Sequence, residues 1–171
     1  MDFYDNWQLN VTTGEWSAGG SMNSDFISHA GWSLVSADSQ ETAAEDGHAG
    51  NAFDDSTSTF WHTQYTDAKP MPPHELVLDL GASYSLTGLR YTPRQDDNQN
   101  GMVKDYEFYV SNDKANWGTA VTTGSFGTGK APTTVTFQAK SGRLIRFVAL
   151  TEASGKAYSC VAELDVSGTA L

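Results

Sequence analysis

One stretch of the chain, PRQDDNQNGMVKDYEFYVS at 93–111, carries oxygen-bearing side chains at the spacing of a calcium-binding loop. The pattern D-x-N-x-N-G-x5-E, typical of an EF-hand, is matched by Asp96, Asn98, Asn100, Gly101 and Glu107. An EF-hand also needs a helix on each side of the loop to aim the last glutamate at the ion. The flanking elements therefore decide what this pattern means.

The residues on both sides of this stretch predict strands. Upstream, LTGLRYTPRQ contains threonine, glycine and Pro93, which are poor helix formers. Downstream, KDYEFYV alternates, so that Tyr106, Phe108 and Val110 share one face of a strand. Asn-Gly at 100–101 between two strand signals is typical of a hairpin or loop. We therefore expect no EF-hand here, and a different role for the loop.

Strand-like runs recur along the chain, and no long helical period separates them. Seven runs stand between clusters of Gly, Asn, Asp and Ser, at 32–36, 75–80, 85–92, 103–111, 133–137, 143–151 and 160–166. Among them, RLIRFVAL is apolar on both faces apart from its arginines, as a covered central strand would be. Trp32, Phe60 and Trp61 flank apolar strand starts, so we expect them in the core. The pattern predicts an all-β fold, a β-sandwich.

The first thirty residues are more polar and richer in glycine and serine than the remainder. We expect residues 1–30 to be an N-terminal extension or linker, 31–168 to form one module, and 169–171 to be a tail. The single cysteine, Cys160, lies in the apolar run SCVAEL and is expected to be a buried structural thiol.

Charge and motifs exclude several classes of function. The chain has 10 basic and 21 acidic residues, a formal charge of −11, and so repels nucleic acid and anionic membranes. No stretch approaches the ~20 apolar residues of a membrane span, so we expect no membrane insertion. No G-x-S-x-G, H-E-x-x-H, P-loop or C-x-x-C motif is present, and we expect no catalytic residues. Because the chain has many carboxylates, their number alone does not exclude a pair of catalytic carboxylates like that of a glycosidase.

Five segments in order carry a resemblance to a known family. They are NAFDDSTSTFWHTQY, PHELVLDLG, GLRYTPRQ with NGMVKDYEFYVS, RLIRFVAL and VAELDV. Together they resemble the discoidin-like domain (coagulation factor V/VIII C-type), and in particular the family-32 carbohydrate-binding modules appended to bacterial sialidases, other glycosidases and galactose oxidase. The resemblance covers roughly 31–168 and implies a galactose-binding-type jelly-roll β-sandwich of antiparallel strands.

The resemblance implies a structural metal ion, usually calcium, between a tight turn and the last strand. Asp54 and Glu163 would supply carboxylates, and Thr59 a hydroxyl or carbonyl. Backbone oxygens would come from Asn51, Ser56 and Ala162. Such an all-oxygen set suits a hard cation. The family usually has glycine after the aspartate, where this chain has Asp55, but aspartate tolerates a left-handed backbone better than most residues.

The resemblance also implies a sugar pocket built from loops at one end of the sandwich. Its polar residues would be Glu45, His62, Arg94 and Asn100, and its aromatic wall Tyr158, with Tyr65 as second choice. Each has an ordinary alternative. His62 could be a satisfied core histidine, Arg94 an ion-pair partner of Asp96 or Asp97, Asn100 a turn residue, Glu45 surface charge, and Tyr158 part of the rim of the core.

The implied function is a non-catalytic module that binds a terminal galactose-type or N-acetylhexosamine sugar and tethers a linked enzyme to glycans. The covalently linked catalytic domain would belong to a larger secreted chain. The alternative is a discoidin-type protein- or membrane-recognition domain, which the acidic charge and polar loops disfavour.

Overall fold

The computed structural model describes residues 7–9, 16–18 and 26–171, and the regular secondary structure of these residues is almost entirely β-strand. The strands are β1 (Trp7–Leu9), β2 (Trp16–Ala18), β3 (Ser33–Ala37), β4 (Trp61–His62), β5 (His74–Thr92), β6 (Asp105–Ser111), β7 (Thr122–Ser125), β8 (Thr133–Ala149), β9 (Cys160–Val161) and β10 (Glu163–Ala170). Two short 3-10 helical turns cover His29–Gly31 and Ala49–Phe53. No helix in the described parts of the chain is long and apolar enough to cross a membrane.

Six of these strands form one antiparallel sheet that wraps around a single core. The order is β10-β5-β8-β6-β7, and β3 pairs with the first half of β5. The second half of β5 pairs instead with β10. Both halves contribute to one core, Leu76 and Leu78 from the first and Leu86 and Leu89 from the second. The predicted all-β, jelly-roll sandwich is therefore confirmed.

Two pairs of predicted strands are each one continuous, bent strand. The runs at 75–80 and 85–92 are both part of β5, and those at 133–137 and 143–151 are parts of β8. The polar and glycine residues between the runs mark bulges, because the ladder between β5 and β8 shifts register between Asp79 and Tyr84 and then resumes. Gly81 lies at this bend with φ 79°, and a Cβ there would stand 2.3 Å from the backbone oxygen of Gly31.

The predicted side-chain patterning is largely confirmed. Along β6, buried side chains alternate with half-buried ones, and β8 is the central strand between β5 and β6. Trp32, Trp61 and Cys160 are buried. Phe60 differs from the expectation, because it is only half-buried and its ring lies under a guanidinium group, 4.3 Å from the carbon of Arg94.

Strand pairing extends beyond residues 31–168 at both ends. Phe26 forms an antiparallel bridge with Ser167, and β10 continues to Ala170, opposite Tyr84. β1 and β2 pair with each other. The predicted extension at 1–30 otherwise falls mainly outside the described residues, and the domain boundaries stay a prediction.

Candidate functional site

A polar pocket of about 260 Å³ lies where residues from four separate parts of the chain meet. Its lining consists of Glu45, His62, Tyr65, Arg94, Asn98, Asn100 and Tyr158. The six residues singled out from the sequence are all in this set. The volume falls just below the range of roughly 300–1,000 Å³ typical of drug-sized ligands, so the pocket suits a smaller molecule such as one sugar ring.

His62 presents one ring nitrogen to the pocket, and its other ring nitrogen forms a hydrogen bond to the backbone of the next residue. It ends β4, and its side chain is 4% exposed. Nδ1–H donates to the carbonyl oxygen of Thr63 at 2.6 Å, which leaves Nε2 as the unprotonated nitrogen of the neutral ring. Burial lowers the pKa of His62, so the ring is neutral at pH 7 and Nε2 is a hydrogen-bond acceptor.

Arg94 is buried, and most of its guanidinium N–H groups already donate hydrogen bonds within the protein. Nε and Nη2 donate to the two carboxylate oxygens of Asp96 at 2.7 and 2.5 Å. Nη1 donates to the carbonyl oxygen of Asn100 and approaches Sγ of Cys160. Four of the five N–H groups therefore have acceptors among the described residues, and one Nη2–H remains for a ligand. The ion-pair alternative for Arg94 is correct, and the same pair positions this free donor.

Asn100 belongs to a tight turn that is held by hydrogen bonds to buried residues of the neighbouring loop. Its backbone N–H donates to the side chain of Asn98 at 2.9 Å, and its Oδ1 accepts from the ammonium group of Lys156. The next residue, Gly101, donates its N–H to the buried carboxylate of Glu152 at 3.2 Å and accepts from the N–H of Cys160 at 2.7 Å. Asn100 is thus a turn residue whose amide NH2 is left to line the pocket.

A second buried carboxylate organises the opposite side of the pocket. Glu41 is fully buried and accepts backbone N–H groups of Tyr65 and Thr66 on one oxygen, and of Ala43 and Ala44 on the other, at 2.8–3.0 Å. These bonds, led by that from Tyr65, lower the pKa of Glu41 to about 2. They fix the loop that presents Glu45, whose carboxylate lies 3.9 Å from Nε2 of His62.

Three rings form an apolar wall in the pocket. The ring centroids of His62 and Tyr65 are 4.9 Å apart, those of His62 and Tyr158 5.6 Å, and those of the two tyrosines 6.0 Å. Both tyrosines are half-buried, so each presents part of its ring to a ligand. The wall is therefore shared between Tyr65 and Tyr158.

The residues predicted to bind calcium lie around the Asp54–Thr59 turn and the start of β10. The backbone N–H of Ser56 donates to carboxylate oxygens of both Asp54 and Glu163, each at 2.9 Å, and the Thr59 hydroxyl donates to Asp54 at 2.7 Å. Burial and the nearby Asp54 raise the pKa of Glu163 to about 8. Asp55 adopts φ 63°, the left-handed conformation expected where the family has glycine.

This cluster of carboxylate and hydroxyl oxygens fits a hard cation, which would offset the charge that Asp54 and Glu163 place side by side. Ala162 immediately precedes β10, and Asn51 lies in the 3-10 turn before Asp54. The side-chain NH2 group of Asn51 donates to the backbone oxygen of Asp46 at 2.9 Å. The backbone carbonyl oxygen of Asn51 is therefore the atom that we expect to coordinate an ion.

Comparison with known proteins gives the family. The F5/8 type C domain profile matches residues 35–164, more than three-quarters of the chain. The chain belongs to the F5/8 type C domain family. This F5/8 type C domain is 42% identical over 161 residues to a sialidase of Micromonospora viridifaciens, a match that covers 94% of the chain and 25% of the sialidase. The chain thus spans about a quarter of that relative.

Two solved structures from Clostridium perfringens are similar to this F5/8 type C domain along almost their whole length. The module CpGH89CBM32-5, in complex with GalNAc-β-1,3-galactose, has a TM-score of 0.76 and 27% identity, covering 84% of this chain and 99% of its own. The family 32 carbohydrate-binding module of NanJ, in complex with galactose, has a TM-score of 0.71 and 27% identity, covering 82% and 96%.

Asn98 is the residue of the pocket that sequence reasoning missed in this F5/8 type C domain. It is the middle polar residue of the D-x-N-x-N-G string. The residues on both sides of this string predict strands and therefore argue against an EF-hand. No helix brackets the string, and Glu107 lies in β6, so that prediction is correct. The signal that could have found Asn98 was its place two residues before Asn100 in a turn whose other members were already assigned to the pocket.

Proposed function

We propose that this F5/8 type C domain is a non-catalytic carbohydrate-binding module that holds a terminal galactose-type or N-acetylhexosamine sugar in the pocket around His62. The observation that carries the proposal is the convergence of an imidazole acceptor, a single free guanidinium N–H and an amide NH2 beside a wall of two tyrosines. These groups come from separate segments of the chain, at 62–65, 94–100 and 158, and meet in a space of one-ring size.

The chemistry of the pocket matches the chemistry of a pyranose. Each sugar hydroxyl both donates and accepts, so His62 Nε2 and the carboxylate of Glu45 can accept while Arg94 and Asn100 donate. An axial 4-hydroxyl between His62 and Arg94 would be read by both, whereas the equatorial hydroxyl of a glucose epimer points elsewhere. The C–H face of the ring would pack on Tyr158 and Tyr65, which adds about 1 kcal/mol beyond the burial of area.

A single ring binds weakly, because it offers few atoms. About a dozen heavy atoms at roughly 0.3–0.5 kcal/mol each give about 4–6 kcal/mol, a dissociation constant from millimolar to tens of micromolar. We propose that the module tethers a covalently linked catalytic domain of a secreted enzyme to glycans, where several weak contacts act together. The similarity to one part of a much longer sialidase supports this arrangement.

We also propose that the Asp54–Glu163 cluster binds calcium in a structural role. The oxygen atoms of Asp54, Thr59 and Glu163 would hold the ion, with carbonyl oxygens of Asn51, Ser56 and Ala162 completing its coordination. The charge of the ion would join the turn before β4 to the first residue of β10. No residue of this cluster lines the sugar pocket, so the role is separate from ligand contact.

The sugar proposal is tested by titration of the ¹⁵N-labelled domain with galactose, N-acetylgalactosamine, N-acetylglucosamine and glucose. We expect galactose or an N-acetylhexosamine to shift the amide signals around His62 and Arg94, and glucose to do so less. The variant His62→Ala should bind the sugar at least about tenfold more weakly, since it removes both the acceptor nitrogen and part of the aromatic wall.

The matched control is His48→Ala, which removes an exposed imidazole paired with Asp46 outside the pocket lining. It should bind as the wild type does. Spectra unchanged by every terminal sugar of a wider glycan panel would overturn the proposal. Co-sedimentation with anionic liposomes in that case would favour the membrane-recognition alternative.

A further inference from the structure

A second group of metal-ligand side chains lies beside the Asp54–Glu163 cluster but uses different atoms. His29, Asp55 and Glu163 place one ligand atom each within 4.8 Å of the others, and among the described residues this is the group of three or more that could hold a metal ion. His29 belongs to the 3-10 turn that leads into β3, and Asp55 to the turn before β4. Neither is among the calcium ligands proposed above.

His29 is buried without a hydrogen bond to either ring nitrogen. Its side chain is only 4% exposed, and neither Nδ1 nor Nε2 has an aligned partner among the described residues. A buried, unsatisfied imidazole costs free energy unless something else binds it. The ring is also held in place, since it packs on Trp32 with centroids 4.3 Å apart. The nitrogen atoms are therefore held ready for a ligand.

The distances around Nδ1 are those of a coordination site. Nδ1 lies 2.9 Å from Oδ1 of Asp55 and 3.6 Å from Oε2 of Glu163. Ligands about 2.0–2.1 Å from a tetrahedral ion are about 3.3 Å from one another, so the two separations bracket the expected value. The nitrogen ligand favours zinc or a neighbouring transition metal over calcium, which prefers oxygen alone.

The other nitrogen of the imidazole, Nε2, faces a carboxylate, the type of group that orients many metal-binding histidines. Nε2 lies 3.6 Å from Oδ1 of Asp165, and the second oxygen of Asp165 accepts from Nε of Arg90 at 2.9 Å. A carboxylate on the distal nitrogen sets the tautomer and orients the ring toward a metal. The separation of 3.6 Å is longer than a hydrogen bond, so Asp165 would have to approach Nε2 to take its proton and leave the lone pair of Nδ1 free.

The two oxygens of Glu163 separate the two sites. Oε1 accepts from the N–H of Ser56 on the side of Asp54, whereas Oε2 faces His29. Four carboxylates meet in this region, those of Asp54, Asp55, Glu163 and Asp165, against the one guanidinium of Arg90. With all four carboxylates ionised, one calcium ion would leave a formal charge of −1, which a second divalent cation would offset.

We propose that His29 Nδ1, Asp55 and the Oε2 atom of Glu163 form a binding site for a divalent transition-metal ion such as Zn²⁺, adjacent to the calcium site and bridged to it by Glu163. Solvent supplies the fourth ligand, because the side chain of Asp55 is 78% exposed. The proposal does not depend on sugar binding, since none of these residues lines the sugar pocket.

The test uses the tag-free domain, stripped with a chelator and returned to excess calcium. Zn²⁺ is titrated calorimetrically, and Co²⁺ serves as a spectroscopic probe whose visible absorption reports nitrogen and oxygen coordination. We expect one Zn²⁺ per chain. Asp55→Gly should weaken binding at least about tenfold. This variant removes only a carboxylate, because glycine readily adopts φ 63°.

His29→Gln should weaken Zn²⁺ binding to the same extent and abolish the Co²⁺ absorption band. The matched control is His48→Gln, which removes an exposed imidazole that lies 2.6 Å from the carboxylate of Asp46, and it should leave binding unchanged. Absence of Zn²⁺ binding by the wild type in calcium would overturn the proposal. So would Zn²⁺ binding that Asp55→Gly and His29→Gln both retain.

Discussion

At the scale of single residues, the pocket depends on the protonation of His62. The bond from Nδ1–H to the carbonyl oxygen of Thr63 and the burial of the ring together leave Nε2 as an acceptor at neutral pH. The polarity that the pocket offers to a sugar hydroxyl is thus determined by one backbone hydrogen bond.

We predict that sugar affinity is constant from pH 8 to about 6.5 and falls at lower pH. Because burial lowers the pKa of His62 below 6.5, the ring is protonated only in more acidic solution, where Nε2 becomes a donor and the acceptor is lost. The measurement is the dissociation constant for galactose across this range, together with the ring proton shifts of His62.

The control for this prediction is His62→Gln, whose amide does not titrate. Its affinity should be lower than that of the wild type and should lack the component of acid loss that belongs to the imidazole. An equal decrease with pH in the two proteins would show that a group other than His62 controls the pH dependence.

At the scale of elements, the pocket is held by buried anchors under each loop. Glu41 binds the backbone of two loops on one side, and Glu152 binds Gly101 and the backbone of Ser154 and Lys156 on the other. The backbone N–H groups of these loops donate to the two buried carboxylates instead of to a neighbouring strand. The carboxylates therefore fix the loop conformations as strand pairing would. The positions of the ligand-facing side chains follow from these anchors.

We predict that Gly101→Ala destabilises the domain and weakens sugar binding together. Gly101 has φ 86°, and a Cβ would stand 2.4 Å from Sγ of Cys160, so the turn that carries Asn98 and Asn100 must move. The left-handed backbone alone costs about 1–2 kcal/mol. We expect a total loss of at least about 2 kcal/mol in urea unfolding and an affinity several-fold lower.

Gly118→Ala separates backbone strain from steric displacement. Gly118 also has a positive φ, 62°, but a Cβ there meets no heavy atom within 4 Å. It should lose only about 1 kcal/mol of stability and bind sugar normally. If Gly101→Ala kept full affinity, the turn could not be what positions Asn100.

At the scale of the whole molecule, the cation cluster joins distant parts of the chain. Ser56 and Glu163 are 107 residues apart in sequence and share a hydrogen bond of 2.9 Å. The turn before β4 and the first residue of β10 meet there, so an ion at this point closes a long loop of the sandwich. We therefore expect a bound ion to stabilise the domain and to affect the pocket around His62 only through the fold.

We predict that calcium raises the midpoint of thermal unfolding by roughly 5–10 °C at about a hundredfold excess over its dissociation constant, since binding then adds about 2.7 kcal/mol to a domain of this size. Asp54→Asn should remove most of this effect, because it neutralises one of the two carboxylates. Differential scanning calorimetry with calcium and with a chelator makes the measurement.

Glu107→Gln is the matched control, because Glu107 is the last residue of the EF-hand-like pattern. It should respond to calcium as the wild type does. A calcium effect that disappears in Glu107→Gln and persists in Asp54→Asn would mean that the loop at 96–107 binds the ion after all.

The sequence by itself determined the fold class and, through the family resemblance, six of the seven residues that line the pocket. Alternation along β6 and the apolar run of β8 predict a sandwich, because the period of two and burial on both faces are local properties of a strand. His62 lies in a different segment of the chain from Arg94 and Asn100, and it was the order of the family's segments that predicted these residues together.

Only the tertiary structure decided how these residues act. The joining of four predicted strands into β5 and β8 and the place of Phe60 under Arg94 depend on partners that are distant in sequence. The single free N–H of Arg94 and the tautomer of His62 depend on hydrogen bonds to Asp96 and Thr63, which are near in sequence but are oriented by the folded loops. The unsatisfied ring of His29 is another case. Local patterns report whether a side chain is buried, but hydrogen-bond partners are chosen by the three-dimensional packing, which no short window of sequence contains.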